Sequence, residues 1–331
     1  MIGGMRAAIT ATGHHVPDEI YPNAYFAERL ETTDEWIRSR TGIEERRFAS
    51  TGGTSDLAVA AARRCLEARG ISAAAVDGII VATMTPDRPL PSTAAIVQRK
   101  LGATHAWGFD VSAACSGFIY ALITAAKLVE SGALRCALVC GADRMSTVID
   151  PLDRSTAVLF GDGAGVVLVE PIEDETVGLL DHVCFMDGSG EEALYIPSGG
   201  SLSPPAVASV QAREHYVVQD GAAVFKAAVT GMAEVTEAIL KRSALTGDDV
   251  EWLVPHQANR RIIEAVAKRL GLDLKKVAIN LDRYGNTVAG TIPLALSELN
   301  EQGRLAHGDR VVLSSFGAGY TSGAIYLRWA V

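Results

Sequence analysis

Three side chains in this chain are of types that do nucleophilic and proton-donating chemistry, in segments that can present them. Cys115 lies in GFDVSAACSGFIYAL, where a strand from Trp107 to Val111 runs into a small-residue turn and an apolar helix starts just after the sulfur. Backbone N–H groups and the helix dipole at such a junction favour thiolate over thiol. His256 lies in VEWLVPHQANRRI, after a strand that Pro255 ends and before a helix with Asn259 in its first turn. Asn286 lies in NLDRYGNTVAG, in a turn after a short strand. Taken singly, each has an ordinary explanation: a buried thiol, a packing imidazole, an amide kept for turn geometry.

An internal repeat links the three. ISAAAVDGIIV (71–81) matches LTGDDVEWLV (245–254) at an offset of 174, and VQRKLG (97–102) matches VAKRLG (266–271) at 169. SGAL (131–134), leading into LVCG, answers QGRL (302–305), leading into VVLSS. FGDGAGVVLVE (160–170) answers FGAGYTSGAIYL (316–327). Order is kept throughout, so the chain reads as two α/β halves, 1–172 and 173–331. Shifted by 174, Cys115 falls at 289, three residues from Asn286. Equivalent loops of pseudo-symmetric halves meet, which predicts a Cys–His–Asn site built from both, outside the carboxyl ends of the strands.

The elements that must hold such a site are legible as an alternation. Strands such as VDGIIVAT and RCALVCGA alternate with helical stretches such as TSDLAVAAARRCLEARG, which predicts largely parallel, buried sheets with crossover helices. GFIYALITAAKLVESG (117–132) is apolar on most sides until Lys127 and Glu130, as a helix buried between two sheets would be. The Pro/Ser-rich stretch 197–209 reads as an exposed loop.

Bulk properties narrow the function. The chain has 331 residues, 48% hydrophobic, with a formal net charge of −9, which argues against nucleic acid as a partner. No run of 18 apolar residues is present, so no membrane span is expected, and the first strand follows a start without a signal-peptide stretch. The five cysteines (65, 115, 136, 140, 184) form no CxxC pair. They read as free thiols in a reducing, cytoplasmic setting, with Cys136, Cys140 and Cys184 as ordinary buried ones and no zinc site. Between Arg260 and Lys276 basic residues outnumber acidic ones, either as a solvated helix face or as a landing patch for an acidic partner.

Several motifs carry a resemblance that runs nearly end to end: TTDEWIRSRTGIEERR (32–47), DVSAACSGF (110–118), FGDGAG (160–165), VPHQANRRI (254–262), RYGNTVAG (283–290) and SFGAGYTSG (315–323). The chain resembles the β-ketoacyl-(acyl carrier protein) synthase III family of the thiolase-like superfamily. The resemblance implies the five-layer αβαβα thiolase-like fold, a homodimer, and no metal or organic cofactor. It also implies a decarboxylating Claisen condensation that initiates fatty acid synthesis. An acyl-CoA acylates Cys115, and malonyl-ACP then loses CO₂ and attacks to give 3-oxoacyl-ACP.

The residue roles implied by the resemblance are these. His256 and Asn286 donate to the enolate oxygen, with Nε2–H of a neutral imidazole as the donor. The backbone N–H groups of Cys115 and Gly317 hold the tetrahedral oxyanion. Trp36 and Arg154 clamp the CoA adenine from opposite sides and Arg40 meets its phosphates. Gly221, Phe225 and Asn259 line the pantetheine tunnel. Arg260, Arg261, Lys268 and Arg269 meet the acidic carrier protein. Leu90 borders the acyl pocket, where some relatives have an aromatic ring. Other departures are Ser322 in place of a frequent Trp, Val288 in place of a frequent Ser, and a longer, Pro-rich loop around 197–219.

Other readings stay open. A starter-loading or ester-forming synthase of specialised metabolism would use the same three residues. A non-decarboxylating thiolase calls for a second cysteine near the C-terminus, and none follows Cys184. Hydroxymethylglutaryl-CoA synthase calls for a carboxylate base that the first half does not offer near its motif. A non-catalytic carrier-binding protein would lack the nucleophile.

Overall fold

Two sheets and a buried helical layer organise the chain in the computed structural model, which describes residues 5–331. The first sheet holds β1 (Arg6–His15), β2 (Gly78–Ala82), β3 (Trp107–Val111), β4 (Ala137–Arg144) and β5 (Asp162–Ile172), in the order β1-β5-β4-β2-β3. The second holds β6 (Gly178–Met186), β7 (Trp252–Pro255), β8 (Arg310–Gly317) and β9 (Thr321–Arg328), in the order β7-β8-β9-β6. Read from the other edge, the second order repeats the first. Val277 bridges Leu253 in parallel where β3 stands beside β2.

The sheets are mixed rather than largely parallel, which corrects the expectation above. β2 pairs in parallel with β3 and β4, and β7 with β8. The pairs β1–β5, β4–β5, β8–β9 and β6–β9 are antiparallel. The reason lies in the glycine-rich segments, which return the chain beside the strand it has left. Between β8 and β9 the reversal takes only Ala318–Tyr320, with Gly319 at φ 67°.

Helices complete the layers. α1 (Asp34–Thr41) lies at the periphery, and α2 (Thr54–Arg69) and α3 (Thr93–Leu101) cover the outer face of the first sheet. α5 (Gly221–Arg242) covers the second sheet, with α6 (Arg260–Arg269) packed beside it. α4 (Gly117–Glu130) and α7 (Thr291–Glu301) lie between the sheets and touch strands of both. Every residue of α7 from Thr291 to Leu299 is buried, which explains its lack of a polar face. α4 meets both sheets through Phe118, Ile119, Leu122 and Val129, separated by alanines that allow close approach. This is the thiolase-like αβαβα architecture.

Where the layers meet, glycine is required. A Cβ on Gly141 in β4 would lie 2.1 Å from the carbonyl oxygen of Ala289. Gly141→Ala is therefore expected to cost about 1–3 kcal/mol of stability through overpacking, read as an earlier urea midpoint at unchanged slope. An unshifted midpoint would show that the turn can yield.

One cysteine differs from expectation. Cys184 is exposed rather than buried, because it sits on β6, the edge strand of the second sheet. Among the described residues no helix is long and apolar enough to cross a membrane.

Candidate active site

Two strained turns lie at the centre of the molecule, 174 residues apart. Ala114 has φ 47° and Val288 has φ 53°, a region that residues with a side chain rarely adopt. Each opens a one-turn 3₁₀ segment, Ala114–Ser116 and Val288–Gly290, that feeds α4 and α7. Such strain costs on the order of 1–3 kcal/mol per residue and persists only when its surroundings hold it.

Here the surroundings come from both halves. Ser315 Oγ donates to Cys115 O at 2.8 Å, Ser116 Oγ to Thr321 O at 3.0 Å, and Thr321 Oγ1 to Ala113 O at 3.1 Å. On the other turn, Asp143 Oδ2 accepts from Ala289 N at 3.1 Å. Its Oδ1 accepts from Thr83 Oγ1, Met84 N and both the N–H and the hydroxyl of Thr85. Burial pushes the Asp143 carboxyl up to about 6, and these donors pull against it.

Cys115 is 7% exposed. Burial, reinforced by the Asp143 carboxylate, pushes its thiol up to about 12, against the pull of the nearby backbone N–H groups. α4 starts two residues later.

His256 follows β7, and its backbone N–H donates to Ser314 O at 2.8 Å, which fixes it to β8. The ring is buried, and burial alone depresses its pKa to about 3, so the imidazole is neutral near pH 7. Nδ1 lies 2.8 Å from Thr291 Oγ1, while Nε2 has no partner among the described residues.

Asn286 reaches the same place from the second half. Its N–H donates to Leu159 O at 2.9 Å and its carbonyl accepts from Gly161 N at 3.0 Å, a parallel bridge to the first half. Its side-chain Oδ1 accepts from Val288 N at 2.9 Å. The strained turn thereby leaves the amide nitrogen as the end free to donate.

Cys115, His256 and Asn286 line one cavity together with Gly317. A Cβ on Gly317 would lie 2.7 Å from Cys115 N and 3.1 Å from Ser116 N, so only glycine permits this main-chain approach. Further out, the wall includes Gly221, Phe225 and Asn259. Asn259 is the N-cap of α6 rather than part of its first turn. Its Oδ1 accepts from Arg261 N, and its Nδ2 donates to Arg40 O at 3.0 Å, joining α1 to the rim.

Trp36 and Arg154 meet directly, the guanidinium 5.0 Å from the indole centroid, and Arg154 also donates to Glu31 O. The Arg40 side chain is exposed nearby. Neither Trp36, Arg40 nor Arg154 lines the cavity itself.

Among the four cations of the predicted landing patch, two are already paired. Arg260 bonds Glu264 at 2.8 Å, and Arg269 holds Glu237 through two bonds of 2.7 Å. Arg261 lies 5.1 Å over the Phe225 ring at the cavity wall, and Lys268 is exposed. The net positive charge offered there is smaller than the residue count suggests.

Leu90 is 85% exposed, in the proline-rich segment between β2 and α3, and is not among the side chains of this chain that line the cavity or the apolar space beside Cys115. An apolar space does continue past Cys115, lined by Met84, Met145, Val148, Ile196, Val217 and Val288. Residue types alone did not point to these side chains. Thr291 and Ser315 were also passed over, although the offset of 174 sets Thr291 against Gly117 and so marked a divergence.

Comparison with known proteins gives one answer over the whole chain. Residues 109–188 match the family described as 3-oxoacyl-[acyl-carrier-protein (ACP)] synthase III, and residues 240–329 match its C-terminal counterpart. The β-ketoacyl-[acyl-carrier-protein] synthase III of Chlorobium chlorochromatii is 54% identical, over 98% of this chain and 100% of its own. That of Koribacter versatilis is 52% identical, over 98% of each. The Pseudomonas aeruginosa synthase III structure superposes with a TM-score of 0.91 at 39% identity, covering 98% of this chain and 99% of that one. A likeness of this extent, on a molecule whose two strained turns and the end of β7 bring cysteine, asparagine and histidine to one cavity, places the chain in the β-ketoacyl-[acyl-carrier-protein] synthase III family of condensing acyltransferases.

Proposed function

We propose that the protein condenses an acyl-CoA primer with malonyl-ACP to give 3-oxoacyl-ACP, CoA and CO₂, through an acyl group carried on Cys115. The observation that carries this reading is that Cys115, His256, Asn286 and Gly317 line a single cavity, with an apolar space continuing past the sulfur.

In the first half-reaction Cys115 Sγ bonds to the acyl carbon, the bond to the CoA sulfur breaks, and the thiol proton ends on CoA. The oxyanion that forms between these events sits where the backbone of Gly317 meets that of Cys115. Gly317→Ala is expected to slow loading at least tenfold, because the new methyl would occupy the space beside the Cys115 amide. Loading at the wild-type rate would remove Gly317 from this role.

In the second half-reaction the malonyl carboxylate leaves as CO₂ and the enolate attacks the acyl carbon, returning Cys115. Charge collects on the thioester oxygen, and His256 Nε2 and Asn286 Nδ2 are the donors that meet it. A neutral His256 has a consequence for pH. With its pKa depressed from 6.5 to about 3, the ring keeps its uncharged form throughout the range in which a free histidine titrates. The His256 ring is therefore expected to add no inflection to malonyl-thioester decarboxylation between about pH 5 and 8, where any change traces to another group such as Asp143. Titration of the His256 ring itself near 6.5 would show a solvated ring. Stability runs the other way: the unfolded chain takes up a proton near 6.5 that the fold resists, so acid costs stability as pH falls below that value.

The remaining assignments belong to the same reading. Trp36 and Arg154 part to admit the adenine, Arg40 meets phosphates, and Gly221, Phe225 and Asn259 line the pantetheine arm. Arg261 and Lys268, the two landing-patch cations without a carboxylate partner among the described residues, lead carrier-protein docking, with Arg260 and Arg269 beside them. No metal or organic cofactor takes part. A homodimer is supported by Trp107, 51% exposed on the edge strand β3, and by the 85% exposed Leu90. The division into 1–172 and 173–331 is supported by strands that change sheet between Ile172 and Gly178.

A second reading, a starter-loading synthase, has one observation in its favour. The priming β-ketosynthase of the R1128 polyketide pathway superposes with a TM-score of 0.91 at 35% identity, covering 100% of this chain and 98% of that one. Incubation with acetyl-CoA and with longer and branched acyl-CoAs, read by intact mass, decides between them. Rapid acetyl loading supports the initiating enzyme, and loading confined to longer or aryl thioesters supports the second reading.

A further inference from the structure

Among the described residues the His256 ring has a single hydrogen-bond partner, Thr291. Nδ1 lies 2.8 Å from Thr291 Oγ1, and Nε2 is buried without a partner in a residue that lines the cavity. Thr291 is 2% exposed and opens α7. Its hydroxyl is within reach of two acceptors, Nδ1 of His256 and the Val288 carbonyl at 3.0 Å. The Val288 carbonyl already accepts the N–H of Thr291, so it does not need the hydroxyl. Nδ1 has nothing else.

A neutral imidazole carries one proton, and the partner of one nitrogen decides which nitrogen holds it. A hydroxyl that donates to Nδ1 places the ring proton on Nε2. The opposite arrangement, with Nδ1–H donating to Thr291, leaves Nε2 a bare acceptor, which repels an enolate oxygen.

The pseudo-symmetry supplies an independent argument. The position equivalent to Thr291 in the first half, 174 residues earlier, is Gly117, the first residue of α4. A buried helix therefore starts from this kind of turn without a hydroxyl. The architecture does not demand threonine there, but the half that contributes the histidine has one.

We propose that Thr291 is a positioning residue for the condensation step: its hydroxyl donates to His256 Nδ1 and so keeps the imidazole proton on Nε2, aimed at the thioester oxygen. The inference deepens the condensing reading above and rests on it for its effect on rate. Loading of Cys115, which relies on the Gly317 backbone, does not use the Thr291 hydroxyl.

The experiment compares wild type with Thr291→Val, which keeps shape and removes the hydroxyl, and Thr291→Ser, which keeps the hydroxyl. Two half-reactions are measured on each folded enzyme: acyl loading from acyl-CoA by intact mass, and CO₂ release from malonyl-ACP. Long-range ¹H–¹⁵N spectra report which ring nitrogen of His256 carries the proton. The expected results are a protonated Nε2 in wild type, a 10- to 100-fold loss of decarboxylation in Thr291→Val with loading changed less than about threefold, and recovery of most of that loss in Thr291→Ser. A wild-type ring protonated at Nδ1, decarboxylation in Thr291→Val at the wild-type rate, or a parallel loss of both half-reactions would overturn the inference. A wild-type enzyme that neither loads nor decarboxylates would instead overturn the condensing reading, and the spectra would still decide the tautomer.

Discussion

Cys115→Ser is expected to leave the fold intact and lower acyl transfer from acyl-CoA at least about 1,000-fold. Serine is smaller by little and sits where Ser315 and Gly317 hold the backbone, so packing changes are slight. The chemistry changes far more. A hydroxyl is a poorer nucleophile than a thiol, and no carboxylate-oriented base stands beside it, since the ring of His256 is held by a threonine. Loss on this scale is what removal of a nucleophile produces when the rest of a site survives. The measurement is CoA release under single-turnover conditions, alongside a thermal melt. A melt shifted by several degrees would trace the loss to folding, and transfer within tenfold of wild type would remove Cys115 from the reaction.

The second large effect separates the half-reactions. His256→Ala and Asn286→Ala are each expected to cut decarboxylation about 100- to 1,000-fold while Cys115 still loads. Both donors serve the same developing charge, so the double variant is expected to lose less than the product of the two single losses. The environment makes each deletion specific. His256 is tied to Ser314 and Asn286 is bracketed by Leu159 and Gly161 through main-chain bonds that both variants keep, although Asn286→Ala also removes the Oδ1 that accepts from Val288 N. Release of ¹⁴CO₂ from labelled malonyl-ACP is the readout. Equal loss of loading and decarboxylation would mean that these residues hold the site together rather than act on the enolate.

Much of this site was legible before any coordinates. The offset of 174 brought Cys115 near Asn286 on paper, and the structure places both in one cavity with His256, at turns whose positive-φ residues, Ala114 and Val288, carry the same offset. Glycine-rich segments announced where strands would end. They did not announce direction: local pattern is the same whether a strand returns parallel or antiparallel, and only the short connection at Ala318–Tyr320 shows the second.

What escaped the sequence was set by burial and by neighbours distant in the chain. The upward push on the Cys115 thiol comes from desolvation that a strand–turn–helix pattern does not report. The internal pairing of Arg260 and Arg269 depends on Glu264, one turn along the same helix, and on Glu237 from a different helix. Leu90 sits where a run of prolines carries the chain outward, and the side chains that enclose the apolar space come from segments as far apart as Met84 and Val288. Thr291 was readable only by setting the two halves side by side and asking where a glycine had become a hydroxyl.

The most direct test of the central claim is to incubate the native protein with an acyl-CoA, digest it, and locate the acyl group by peptide mass spectrometry. One acyl group per chain is expected, on Cys115, lost again when malonyl-ACP is added. An acyl group on the exposed Cys184, or no acylated cysteine in a folded protein, would contradict it.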